Sequence, residues 1–107
     1  MSKTQGIKFD QGKPDWSLLP YGPLEEVVRV LEYGRDKYTQ TLEDGTIVSG
    51  ADNWKLVDNS NHRYWNAAMR HMIAFKEGEK IDDESGRMHL AHAICCMLFE
   101  IWNEQND

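Results

Sequence analysis

Two helical patterns joined by a short acidic connection constrain this chain more than any other feature. One runs from about Asn61 to Glu77, with Tyr64, Ala67, Ala68, Met72 and Phe75 on one side and His71 on that same apolar side. The other runs from about Glu84 to Gln105, with Met88, Ala91, Cys95, Leu98, Phe99 and Trp102 as its apolar stripe. So short a connection makes the two helices antiparallel neighbours. His89 and His92, three residues apart, share a face of the second helix. His71 lies six residues before Glu77 and His89 five after Glu84, so at ~1.5 Å per residue both stand roughly 8 to 9 Å from the turn. His71, His89 and His92 are therefore expected to meet at one level, beside the acids of the connection and Arg70.

Those acids are Glu77, Glu79, Asp82, Asp83 and Glu84. Some of them suit the start of a helix, where a carboxylate accepts free amide hydrogens and opposes the positive dipole end; Asp83 or Ser85 is the expected cap. Together with the histidines they also suit a cation. Asp82, Asp83, Glu84 and His89 offer mixed oxygen and nitrogen ligands for a divalent metal, either a transition-metal ion or Mg²⁺ accompanying a phosphorylated ligand. Each histidine alone reads equally well as a core residue satisfied by one hydrogen bond.

The rest of the chain supplies a third helix and two irregular segments. Residues 1–22 carry Gly6, Gly12, Pro14, Pro20 and Gly22 without sustained periodicity, which predicts an extended arm with a turn at Lys13-Pro14-Asp15. Trp16, Leu18, Leu19 and Tyr21 make it too apolar for a free tail, so it is expected to pack across the helices or onto another subunit. Pro23 is expected as the first residue of a helix in which Leu24, Val27, Val28, Leu31 and Tyr38 follow helical spacing. Its opposite face, Glu25, Arg29, Glu32 and Asp36, reads as a solvated ion-pair stripe. Residues 39–52 break the pattern: Asp44-Gly45, flanked by Thr41, Thr46, Ile47 and Val48, predicts a small β-hairpin. The expected architecture is thus all-α, a compact bundle of about three main helices with an extended arm and a hairpin insertion, in a single domain spanning residues 1–107.

Charge and length narrow the function. A chain of 107 residues has room for one core and no second catalytic domain. Twelve basic against eighteen acidic residues, a net charge of -6, argue against broad duplex nucleic-acid binding, which depends on neutralising phosphates. Any anionic ligand must meet a local basic pocket. Arg63 and Arg70, two turns apart on one face, and Lys13 on the arm are the expected phosphate ligands, with pairing to surface acids as the alternative. Trp16 and Trp54, in irregular segments, offer flat surfaces for a base or anchor those segments to the body, whereas Trp65 and Trp102 read as core. Adjacent Cys95 and Cys96 read as reduced core residues. Neither an apolar run of about 18 residues nor an apolar leader after Met1 is present, so no membrane segment and a cytoplasmic location are expected. Apolar helices in so short a chain also predict a homo-oligomer, a dimer or tetramer.

The order of several short blocks carries a resemblance. Gly12-Lys13-Pro14, Ser17-Leu18-Leu19-Pro20, Val30-Leu31-Glu32-Tyr33-Gly34, Lys37-Tyr38, Asn53-Trp54, Arg63-Tyr64, Arg70-His71, Gly78-Glu79 with Asp82, Glu84-Ser85-Gly86 and His89-Leu90-Ala91-His92-Ala93 together resemble the phage-associated dATP/dGTP diphosphohydrolase N-terminal domain family. Nearly the whole chain is covered. Enzymes of that name resemble the all-α, MazG-type pyrophosphohydrolases, which cut a nucleoside triphosphate to monophosphate and pyrophosphate with Mg²⁺ or a related metal. The paired Glu-x-x-Glu and Glu-x-x-Asp helices of MazG proteins are missing; Glu79-Lys80-Ile81-Asp82 has the second spacing but sits at the turn. The hairpin around Asp44-Gly45 looks like an insertion. The resemblance implies a nucleotide or nucleotide-derived ligand, in the host cytoplasm if phage-encoded, with Glu84, His89 and Arg70 as catalytic residues and Lys13, Trp16, Trp54, Arg63, Arg70, His71 and His92 binding it. Two alternatives stand beside metal-dependent hydrolysis of a (deoxy)nucleoside triphosphate. One is a non-catalytic binder that sequesters a host signalling nucleotide as an anti-defence sponge; the other is a structural helical interaction module.

Overall fold

The computed structural model describes residues 4–107; the first three residues of the expected arm lie outside the described residues. Three helices form its body: α1 (Tyr21–Tyr38), α2 (Ser60–Lys76) and α3 (His89–Gln105). Between α1 and α2 lie strands β1 (Gln40–Thr41) and β2 (Ile47–Val48) and a 3-10 turn at Asn53–Leu56. The all-α architecture with a small antiparallel hairpin is as the sequence predicts. No described helix is long and apolar enough to cross a membrane.

The arm is extended except for a turn in which Lys13 N–H reaches Asp10 O at 3.1 Å and a 3-10 turn at Trp16–Leu18 capped by Asp15. The first turn falls earlier than the expected Lys13-Pro14-Asp15, because Gly12 takes the left-handed conformation (φ 82°) that turn requires. Ile7, Phe9, Trp16 and Leu18 are exposed, so the described part of the arm does not pack across the helices of this chain. Helix α1 starts two residues before Pro23, which occupies the third helical position, where the absent N–H would have no intrahelical acceptor in any case.

The hairpin pairs Gln40 with Val48 and Thr41 with Ile47. Gly45 closes it at φ 87°, while the Asp44 carboxylate accepts Thr46 N–H at 2.9 Å. Its far end returns onto the C-terminus of α1 at Gly50, where a side chain would strike the Arg35 carbonyl oxygen and the Tyr38 backbone. Thr39 joins the two: its hydroxyl donates to Arg35 O at 2.7 Å and accepts Gly50 N–H at 3.0 Å.

Helix α3 is central, packed along α2 and against α1. Its contact with α1 is a narrow seam of Val27 and Val30 against Ala91 and Cys95, with Phe99 beside it. A single partner helix explains why Val28 and Leu31, expected on the α1 stripe, are exposed. Ala68 on α2 is wholly buried, and small residues on both sides let α2 and α3 approach closely. Cys95 and Cys96 are free and buried, as expected. Trp65, expected in the core, is 53% exposed, and Leu98 is 43% exposed, because Trp65 turns away from the α2 seam with α3 and Leu98 from the α3 seam with α1. The Arg29–Glu32 pair of the α1 outer face is present, at 3.0 Å.

The connection between α2 and α3 departs most from expectation. Gly78, at φ 102°, ends α2: its N–H bonds Phe75 O and that of Glu79 bonds Ala74 O, both at 3.0 Å. Residues 79–88 then form a closed loop instead of the first turn of a helix. Ile81 bridges Met88, Asp82 N–H bonds Arg87 O at 2.8 Å and Gly86 adopts φ 72°. Neither Asp83 nor Ser85 caps α3, whose N-cap is Met88. The competing interaction is local: the Asp82 carboxylate accepts both the Ser85 amide at 2.9 Å and its hydroxyl at 2.7 Å, which curls the chain back on itself. As a result α3 begins at His89, whose N–H bonds Lys80 O at 3.0 Å.

Candidate functional site

With α3 as a shared floor, α1 and α2 become the walls of an open groove of about 1030 Å³. The α1 wall brings Tyr33, Lys37 and Tyr38; the α2 wall brings Arg63, Tyr64, Arg70 and His71. Asp82 and Glu84 border it from the α2–α3 loop, and Asn53 and Trp54 from the 3-10 turn. His92, Cys96 and Phe99 lie along the floor.

The polar part of this groove is an imidazole cluster. His71 Nδ1 and His89 Nδ1 are 2.8 Å apart, and the His71 ring stacks on His92 with centroids 4.5 Å apart and planes 12° from parallel. Asp82 completes the group: one ligand atom from each of His71, Asp82 and His89 lies within 4.8 Å of the others. Ser85 Oγ sits 2.6 Å from His92 Nε2. Burial, with His92 and His89 as near neighbours, pushes the His71 pKa down to about 4, and burial lowers that of His92. Burial alone would raise the Asp82 carboxyl, yet the two Ser85 hydrogen bonds and the histidines bring it below its usual range. Neutral imidazoles beside a carboxylate are the protonation states a metal requires of its ligands.

Lys37 Nζ contacts Glu84 Oε1 at 2.6 Å and holds that carboxyl below its ordinary range, with Tyr33 assisting. By contrast Arg63 and Arg70 form no ion pair among the described residues; Arg63 makes a 3.4 Å bond to Asp58 O. Further along the floor the groove is aromatic. Trp54 stacks on Phe99 at 4.4 Å and meets Trp102 edge-on at 5.1 Å, and Tyr64 packs against Phe99 and donates to Trp54 O at 3.4 Å.

Of the residues singled out from the sequence, Arg63, Arg70, His71, Asp82, Glu84, His92 and Trp54 thus line one groove, with His89 buried beneath His71. One face of the Trp54 ring is already covered by Phe99. Asp83 is exposed and lies outside both groove and cluster, and Lys13 and Trp16 stay on the exposed arm. Tyr33, Lys37 and Tyr64 were not anticipated as groove residues. Tyr33 and Lys37 share a face of α1 at a spacing of four, but nothing in the sequence says that α2 stands across from that face. Glu79, which read as one more loop acid, has its Oε1 3.4 Å from His89 Nε2.

Fold and site together define a small helical domain whose groove joins unpaired guanidinium groups to an imidazole–carboxylate cluster. The chain belongs to the dATP/dGTP diphosphohydrolase N-terminal domain family, whose model matches residues 3–107. It is 37% identical over 97 residues to a dATP/dGTP diphosphohydrolase of Salmonella phage PMBT28, an alignment covering 91% of this chain and 29% of that relative. The chain thus spans about 29% of the length of the relative it matches. No solved structure matches it.

Proposed function

We propose that the groove binds a purine deoxynucleoside triphosphate of the kind named for the phage relative, and that this chain takes part in its hydrolysis to monophosphate and pyrophosphate. The observation that carries this reading is the shared surface: two unpaired arginines, aromatic rings and an acid–imidazole cluster open on one groove. Arg63 and Arg70 hold phosphate oxygens in forked hydrogen bonds, and the aromatic part of the groove accommodates the base. Water adds at the α-phosphorus, the bond from that phosphorus to the oxygen of the β-phosphate breaks, and pyrophosphate leaves. Glu84, kept ionised by Lys37, takes the proton of the water, while Arg70 opposes the charge that builds on the phosphates.

The donor set of His71, Asp82 and His89 fits a divalent cation. Such an ion supplies Lewis-acid stabilisation of negative phosphate oxygens. The direct test is release of pyrophosphate from dATP and dGTP with divalent metal, and its loss on adding chelator. Tight binding without turnover under all metal conditions would contradict hydrolysis and favour sequestration of the nucleotide.

Arg70→Ala is expected to weaken triphosphate binding by about 1.5–3 kcal/mol, roughly 10- to 150-fold, the range for hydrogen bonds to charged groups. Calorimetric titration of the folded variant measures this, and wild-type affinity would remove Arg70 from the site.

Self-association belongs to the same reading. Among the described residues no large side chain is fully buried, whereas Trp65, Met69 and Ile73 on α2 and Leu90, Ile94 and Ile101 on α3 present exposed apolar surface at helical spacing. A second copy supplies the missing core. Sedimentation at micromolar concentration is expected to give a dimer or tetramer, and monomer alone would contradict it.

A further inference from the structure

We infer that His71, His89 and Asp82 form a nitrogen-rich site for a transition-metal ion such as Co²⁺ or Zn²⁺, which it takes in preference to Mg²⁺, and that Glu79 is the positioning residue that aims His89 at that ion. The inference rests on reading the imidazole cluster as a cation site and adds the class of ion and the residue that orients its ligand.

The argument starts from the protons. The two Nδ1 atoms, 2.8 Å apart, accommodate one proton between them. If His89 carries that proton on Nδ1, its Nε2 is left as a bare lone pair, buried and facing the Glu79 carboxylate. If His89 carries it on Nε2 instead, the N–H points at Glu79 and Nδ1 is bare toward His71. The second tautomer is electrostatically favoured because it sets a donor against an anion.

In this structure His89 Nε2 is buried without a hydrogen-bond partner, and Glu79 Oε1, at 3.4 Å, is its nearest acid. His89 itself is only 6% exposed, so an unpartnered ring nitrogen there carries a desolvation cost that water does not offset. A small inward movement of the half-exposed Glu79 side chain makes that bond and fixes the tautomer. The resulting order, carboxylate to imidazole to ion, is the arrangement that raises the basicity of a metal-bound histidine.

His71 is held from its other face by the stacked His92 ring, and His92 in turn by Ser85. When an ion enters, the proton shared by the two Nδ1 atoms leaves for solvent or moves to His71 Nε2, and those two nitrogens and the Asp82 oxygen then converge from α2, α3 and the loop between them. Two imidazoles and one carboxylate favour borderline transition ions, whereas Mg²⁺ prefers an all-oxygen shell and keeps its waters. His71 and Asp82 also line the groove, which makes the ion accessible to a phosphate bound there.

The test needs no nucleotide. Chelator-treated protein is titrated with Co²⁺, Zn²⁺ or Mg²⁺ alone, followed by calorimetry and by the visible absorption of bound Co²⁺. One equivalent of Co²⁺ or Zn²⁺ is expected to bind at least tenfold more tightly than Mg²⁺. His71→Gln should lower that affinity more than tenfold. Glu79→Gln, at an exposed position that does not endanger folding, should lower it about 10- to 100-fold, the usual cost of losing an outer carboxylate. Glu104→Gln, near the C-terminus of α3, should change nothing. Mg²⁺ binding as tightly as Co²⁺, or wild-type Co²⁺ affinity in folded His71→Gln and Glu79→Gln, would overturn the inference. Pyrophosphate release with Mg²⁺ by a chain that takes up no transition ion would overturn it too and leave the nucleotide reading standing. Transition-metal uptake by a chain with no affinity for dATP or dGTP would support it and remove the nucleotide reading.

Discussion

Replacing Asp82 with asparagine is expected to cut turnover on the order of a hundredfold or more, the scale on which one electrostatic group at a reacting centre acts, while leaving the fold in place. Asparagine keeps a carbonyl oxygen that can accept the Ser85 amide and hydroxyl, so the closed loop between α2 and α3 survives. What disappears is charge. Asp82 is the carboxylate that stands within 4.8 Å of the His71 and His89 ligand atoms, so the variant removes the anionic member of that group. Pyrophosphate release and a thermal melt, measured side by side on Asp82→Asn and Asp83→Asn, decide which neighbouring acid serves the site. A larger loss of turnover at Asp83 than at Asp82, with both variants folded, would contradict the assignment.

The contrast between those two acids also shows how far the sequence could be read. Both stand in the same acidic run, and period-based reasoning treats them alike. They separate only because the Asp82 carboxylate bonds Ser85 within the loop, which depends on Gly86 turning at positive φ and on the bridge between Ile81 and Met88. Those are loop-level facts, set by a handful of competing hydrogen bonds and invisible to helical spacing. The same competition delays α3 from the expected Glu84 to His89.

Other features were legible because a single strong signal governs them. The α2 and α3 patterns and the short link between them are enough to bring His71 to His89, and Asp44-Gly45 is enough to place the hairpin. The groove was not legible. It exists because α1 packs on α3 and leaves α2 facing it across open space, so Tyr33 and Lys37 become wall residues although their spacing alone fits any solvated face. Trp65 misled for a related reason. Its place on a helical stripe is real, but that stripe faces away from the partner helix within the chain.

Ala68→Leu is expected to cost about 3 kcal/mol of stability, the upper end for overpacking, and to disrupt the imidazole cluster even in molecules that remain folded. Ala68 is wholly buried on α2, and the helix against which α2 packs most extensively is α3. Leucine adds three heavy atoms where close packing leaves no void to receive them. The helices must then separate or a neighbour must leave its rotamer. His71 lies one turn further along α2, so the separation acts directly on the 2.8 Å approach of His71 to His89. Interaction between these rings tolerates little displacement, because the lone pairs must converge on one point to share a proton or a cation. Chemical denaturation gives the stability loss, and Co²⁺ titration at a temperature where the variant is folded gives the site effect. Lost stability with unchanged Co²⁺ affinity would show that the cluster does not depend on the α2–α3 spacing. Unchanged stability would show that the contact around Ala68 is looser than its complete burial implies.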